Sequence, residues 1–318
     1  MATVKGSKDK GWLEFKYQAT GAPIRFPVGN IYGEKDGPTL VVLGGMHGSE
    51  FSGIESAIRL YNEIDPKMLS GTVKFGMIYN LPAFENNLGF VVPHDGKNPM
   101  STFPGSPIGT YGEAMAFYFD QEVLSKGDYF IELHGGDIPE ALTPFVIATE
   151  IGDPVVDAET AAIANVYNIP LVVKSPLAAD YVPHAAFEVM CKRGKPSILA
   201  ESGQQGILNL DETETHLIGL RNVLKHLKML PGELVDTAKR IPLDNYTAVK
   251  SELVGMWYPA VKLNQEIAQG QVVGCIRDYF GQHVIDVKAP GEGKVTAIRT
   301  SPAIKVGNVL VEFGRIIK

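Results

Sequence analysis

The chain has 318 residues, 45% of them hydrophobic and 20% charged, with a formal net charge of −7. That length holds one large domain, or a medium and a small one, each burying its own core. The acidic balance, with no long basic run, excludes a charge-built nucleic-acid surface, and no apolar stretch reaches the length of a membrane span.

Residues 1–10 are polar and lack the apolar core of a secretory signal, so a cytoplasmic protein is expected. Residues 39–43 form a short apolar run ending in Gly44-Gly45, the signature of a buried parallel strand. Phe51, Ile54, Ile58, Tyr61 and Ile64 recur at helical spacing, and Asp65-Pro66 stops that helix. Residues 72–79 read as a strand, 81–109 as a long loop, 111–125 as a helix and 129–133 as a strand that delivers His134 to Gly135-Gly136. Further strands are expected at 144–149, 171–173 and 197–200, a helix at 155–167, and a long helix at 211–230 with Asp211 as its cap and Pro231-Gly232 as its end. This alternation predicts an α/β fold whose mixed, largely parallel sheet is flanked by helices.

From about Tyr246 helical periodicity disappears. Short strand-like runs alternate with turn signals such as Phe280-Gly281, Pro290-Gly291 and Gly307-Asn308, which predicts a small all-β C-terminal domain. The expected division is 1–235 for a catalytic domain and 236–318 for a β-barrel or sandwich module. The two cysteines, Cys191 and Cys275, lie far apart in no Cys-x-x-Cys pair, so neither a disulfide framework nor a thiolate metal site is expected.

Three strand ends carry candidate chemistry. In Gly44-Gly45-Met46-His47-Gly48-Ser49-Glu50, an imidazole and a carboxylate, both good zinc ligands, sit where a strand gives way to a helix. Such strand ends are where open α/β sheets bind ligands. Glu132-Leu133-His134-Gly135-Gly136-Asp137 repeats the arrangement and completes a His₂Glu set that leaves one position for water. Glu132 points to the same side as His134 in a regular strand and is a candidate to orient it. The alternatives are that Glu132 is paired elsewhere and that Asp137 does the orienting. Ile198-Leu199-Ala200-Glu201-Ser202-Gly203 brings a third carboxylate, Glu201, either a general base or a capping group.

Taken in this order, the three segments resemble the succinylglutamate desuccinylase/aspartoacylase family, a branch of the zinc carboxypeptidase-like fold. Asn80-Leu81-Pro82-Ala83, Asp95-Gly96-Lys97-Asn98, Phe103-Pro104-Gly105 and Glu140-Ala141-Leu142-Thr143-Pro144 extend the resemblance, as does the β tail, over roughly residues 39–314. The resemblance implies one Zn²⁺ per chain held by His47, Glu50 and His134. It also implies Glu201 as general base and acid, and a β domain packed near the active site. The implied reaction is hydrolysis of an amide in a small molecule, as in N-acyl amino acid deacylation. A homo-oligomer is expected on the resemblance alone, and no nucleic acid or membrane partner is implied.

One departure stands out. Where the family's substrate loop carries an Asn-Arg pair for a substrate carboxylate, this chain has Met100-Ser101, and no arginine occurs between Arg59 and Arg193. The positions nearest a second family arginine are Gly89 and Phe90. A bidentate arginine contact is not replaced by methionine and serine. Either Lys97, Arg193 or Arg277 brings positive charge from another direction, or the substrate is an uncharged or cationic amide. A zinc-binding protein without catalysis is the remaining alternative. Candidate substrate contacts are Asn80, His94, Asn98, Met100 and Ser101. His184, His216, His226 and His283 read as structural or surface residues.

Overall fold

Strand residues of alternating side bury themselves against two separate cores, which is how a sheet covered on both faces reads in sequence. The computed structural model, which describes residues 4–317, contains a 13-stranded mixed sheet in which Ser70–Gly76, Lys35–Leu43, Tyr129–His134 and Ser197–Glu201 lie side by side and parallel. Leu40, Val42, Ile131, Leu133, Ile198 and Ala200 face one core with the helices Phe51–Glu63, Pro154–Val166 and Leu210–His226. Val41, Leu43, Phe130 and Leu199 face the other, with the helices Tyr111–Glu122 and Ala186–Lys192. The α/β class and the mixed sheet flanked by helices expected from the sequence are therefore present, with a parallel centre and antiparallel pairings at the outer hairpin, at Phe145–Glu150 against Ser197–Glu201, and among the C-terminal strands. No helix among the described residues is long and apolar enough to cross a membrane.

Three details differ from the expected elements. The strands Ser7–Lys16 and Pro23–Tyr32 form an antiparallel hairpin on the outer edge of the sheet, paired through Pro23–Tyr32 to Ser70–Gly76. The long helix begins at Leu210 rather than after Asp211, because the Asn209 side chain accepts hydrogen bonds from the Asp211 and Glu212 amides. The loop after residue 80 contains a short helix, Leu81–Glu85, capped by the Asn80 side chain.

The C-terminal strands form a second, four-stranded sheet of His283–Lys288, Val272–Arg277, Gly255–Pro259 and Ala303–Ile304. Trp257, Val273, Ile276, Val295, Leu310 and Phe313 fill the core beneath it. The module is stitched to the α/β unit at two seams. Strand Ile241–Lys250 pairs in parallel with Leu171–Pro176 through Ile241–Leu243, and antiparallel with Val309–Ile316 on its other side. The short strand Glu140–Leu142 pairs with Gly293–Arg299, so that Glu140 lies opposite Arg299.

The first seam has its own apolar cluster, in which Leu243 packs with Phe145, Leu171 and Val173. Leu243 is fully buried. Leu243→Ala should lower unfolding free energy by about 2–5 kcal/mol, through lost burial and the cavity left behind. Chemical denaturation measures this, and a loss well under 1 kcal/mol would mean that the seam is not tightly packed.

Candidate active site

Three adjacent parallel strands end on the same edge of the sheet, and together they bring four functional groups to it. The strand Lys35–Leu43 passes through Gly44-Gly45 to His47 and Glu50. Gly48 has to be glycine, because a Cβ there would run into the backbone of Ala83 and Phe84. Glu50 is the N-cap residue of the helix Phe51–Glu63, yet its carboxylate makes no capping hydrogen bond. It turns into the site instead. His134 and Glu201 are register partners on the next two strands, on the face that also carries Glu132.

His47 Nδ1 lies 2.6 Å from Glu50 Oε1, and His134 Nδ1 lies 2.9 Å from Glu50 Oε2. All three side chains are buried, and their ligand-type atoms lie within 4.8 Å of one another. The outer ring nitrogens are also occupied. His47 Nε2 is 3.2 Å from Asn98 Oδ1, and His134 Nε2 is 3.0 Å from Glu132 Oε1. Both outer partners are acceptors, so each Nε2 carries a proton and donates it, which leaves an Nδ1 lone pair pointing inward. Two lone pairs and a carboxylate then face one another at close range, which requires positive charge between them. Glu50 Oε2 makes no hydrogen bond despite its short distance to His134, because no donor is aligned on it. This donor set fits a divalent metal of the zinc type.

The electrostatics carry the same message. Burial opposes ionisation of Glu50, but the His47 and His134 rings overcome this and hold its pKa below the ordinary carboxylate range. Burial likewise disfavours a charged His134, and the Glu50 and Glu132 carboxylates outweigh it and raise its pKa. Glu201 sits beside the pair with Oε2 buried and without a partner. Its pKa is pushed well above the usual carboxylate range, first by burial and then by Glu50, Glu140 and Glu312, against the pull of His134.

Glu132 does orient His134, and its second oxygen accepts the Phe187 amide at 3.2 Å. Asp137 has a different task. It accepts from Ser49 Oγ and from the Phe90 amide, which ties the loop that carries Phe90 to the first strand end. Asp137 also occupies the space that any side chain at position 89 would need, so the Gly89 position has no room for an arginine.

The cavity beside these three side chains has a volume of about 400 Å³. Of the candidate substrate contacts, Asn98 and Met100 line it, as does Phe90. The other candidate substrate contacts sit elsewhere. Asn80 is a buried helix cap that also holds the Val91 carbonyl, His94 stacks on Tyr111 at a centroid distance of 3.7 Å, and Ser101 Oγ donates to the Asn98 carbonyl. The three cations considered from sequence are also engaged away from the cavity. Lys97 pairs with Glu113, Arg193 pairs with Asp120, and Arg277 covers the Tyr258 ring.

Sequence reasoning missed four residues. Glu140, Arg299 and Glu312 line the cavity, the last two from the β module. Glu312 accepts a hydrogen bond from the Tyr246 hydroxyl at 2.8 Å. The fourth, His216, is fully buried beneath the site. Its Nε2 is 2.8 Å from the His134 carbonyl and 3.2 Å from that of Ser202, and Nδ1 is 2.9 Å from the Tyr167 hydroxyl. It therefore staples together the strand ends that carry His134 and Glu201.

The catalytic-domain profile of the succinylglutamate desuccinylase/aspartoacylase family matches residues 36–227. The chain belongs to that family. An N-alpha-acetyl-L-2,4-diaminobutyric acid deacetylase from Halomonas elongata is 26% identical over 290 residues, covering 89% of this chain and 84% of that protein. Two crystal structures share the fold. The ectoine utilization protein EutE from Ruegeria pomeroyi, in a product-bound form, aligns with a TM-score of 0.87 at 24% identity, covering 99% of this chain and 97% of that one. A succinylglutamate desuccinylase from Silicibacter sp. TM1040 aligns with a TM-score of 0.84 at 24% identity, covering 98% and 95%.

Two outcomes follow from the site's supports. Burial lowers the His216 pKa from 6.5 to about 4, so the unfolded chain takes up its proton first as pH falls. The contribution of His216 to stability is complete above about pH 6.5 and is lost progressively down to about pH 4, by about 3 kcal/mol at most. Denaturation across that interval should show a flatter profile for His216→Phe than for wild type, and parallel profiles would refute the assignment. Glu132→Gln should weaken metal affinity about 10- to 100-fold, measured by competition with a chelator, because His134 loses its orienting carboxylate.

Proposed function

We propose that this protein is a zinc-dependent hydrolase that removes the acyl group from an N-acyl amino acid. The observation that carries this reading is the His47, Glu50 and His134 set, of which His47 and Glu50 line the same cavity as Glu201, whose buried Oε2 has no partner. The named activity of the Halomonas elongata relative, deacetylation of an N-acetylated amino acid, supports it. In this reading residues 1–235 are the catalytic domain, and 236–318 form a module that closes one wall of the active-site cavity.

A zinc ion in the His₂Glu set supplies Lewis acidity toward the scissile carbonyl and acidifies a water. His47 and His134 present fixed lone pairs, and Asn98 and Glu132 keep the rings from turning. Glu201 takes the proton from the attacking water and passes it to the leaving nitrogen, changing role from base to acid. Its raised proton affinity suits the second half of that cycle. Phe90 packs edge-on against His47 at a centroid distance of 5.3 Å and limits water on that side.

A second reading, an amidase for uncharged or cationic amides, has the excess of carboxylates in the cavity in its favour. A binding protein without catalysis would have no use for a buried, unpartnered Glu201. Glu201→Gln should retain bound zinc and lose turnover by several orders of magnitude. Metal analysis with a mass-spectrometric hydrolysis assay tests this, and a Gln variant of wild-type activity would sink the mechanism.

A further inference from the structure

The deacylase reading leaves open how the cavity holds a substrate carboxylate when the substrate loop has no arginine. Among the described residues lining the cavity, Arg299 is the one Lys or Arg. It stands at the end of the strand Gly293–Arg299, opposite Glu140 in register, so both side chains leave the sheet on the same face. Arg299 hydrogen-bonds through Nε and Nη2 to the Ala303 carbonyl and enters no ion pair among the described residues. The guanidinium is therefore braced at its Nε/Nη2 edge, which leaves Nη1 and the second hydrogen of Nη2 to form a fork. Beside Arg299 on the neighbouring strands, and lining the same cavity, stand Glu140 and Glu312, two carboxyl groups beyond the metal ligand Glu50 and the base Glu201.

Resting on that reading, we propose that Arg299, supplied by the C-terminal module, is the anchor for the substrate's α-carboxylate, and that Glu140 and Glu312 make the site reject a second carboxylate. One guanidinium can satisfy one carboxylate in bidentate fashion. A second carboxylate, as in an acylated aspartate or glutamate, would be placed beside two buried carboxyl groups whose own ionisation is already opposed, by burial at both and by the Glu312 charge at Glu140, whereas a cation there would favour their charged forms. A neutral side chain is tolerated there, and one ending in an ammonium is favoured. The selectivity is thus opposite to that of an enzyme built for acidic amino acids. It comes from Arg299 and Glu312 of the β module together with Glu140 of the α/β unit, not from the loop that supplies Asn98 and Met100.

The test uses the full-length, zinc-loaded protein with three substrates: Nα-acetyl-L-2,4-diaminobutyrate, its α-carboxamide, and N-acetyl-L-aspartate. Wild type should prefer the free diaminobutyrate acid over both others. Arg299→Gln should raise KM for that acid about ten- to a hundredfold and leave kcat/KM for the carboxamide within about threefold. Arg299→Lys, which keeps the charge but not the planar fork, should recover part of the loss. Metal content and circular dichroism establish that the variants are folded. Equal effects of Arg299→Gln on acid and carboxamide, or acetylaspartate processed as readily as the diaminobutyrate, would overturn the proposal. If wild type hydrolyses none of the three, the deacylase reading fails instead. Calorimetric titration of free L-2,4-diaminobutyrate still decides the role of Arg299: binding lost in Arg299→Gln supports the anchor, and unchanged binding overturns it.

Discussion

The carboxylate of Glu50 faces the inward lone pairs of two histidines, and that arrangement is unstable without a cation. Much of the surrounding structure serves to hold it. Glycine at position 48 lets the chain pass close to the helix Leu81–Glu85, and Glu50 forgoes its capping bond. Asn98, Glu132 and His216 each commit a polar atom to one of the two histidine-bearing segments. A buried cluster of this kind is costly to fold around, and proteins keep such clusters at functional sites.

Much of this could be read from the chain. A strand running into Gly-Gly and a histidine, twice, with a third strand ending in Glu201, locates one edge of a parallel sheet before any coordinates are known. What the strand-end motifs do not reveal is the wall opposite. Glu140 and Arg299 meet because two short strands, far apart in sequence, share one register, and Glu312 arrives from the last strand. No local period marks such residues, since each looks like an ordinary charged position on a strand. His216, read from the sequence as structural or surface, was not placed beneath the site for a related reason. It occupies a core-facing position on a helix, and only the packing of that helix beneath two strand ends gives it partners.

The loop candidates divide along physical lines. Short polar side chains have two uses, contact with a ligand or a bond to nearby backbone, and sequence does not separate them. Asn80 and Ser101 are consumed by local backbone bonds, whereas Asn98 does both, accepting from the Met100 amide while facing His47. The hairpin of Ser7–Lys16 and Pro23–Tyr32 was invisible for another reason. Its outer strand is largely exposed and densely charged, as suits a sheet edge that must not pair with a second molecule.

The strand Ile241–Lys250, bonded on one side to the α/β unit and on the other to the module, has a mechanical consequence. Two lobes joined by a flexible linker can swing apart to admit a ligand. Here such a swing would tear the ladder between Ile241–Leu243 and Leu171–Val173, along with the Glu140–Leu142 pairing. Traffic into and out of the cavity therefore has to use its mouth and the motion of individual side chains and loops, with the jaw itself welded shut.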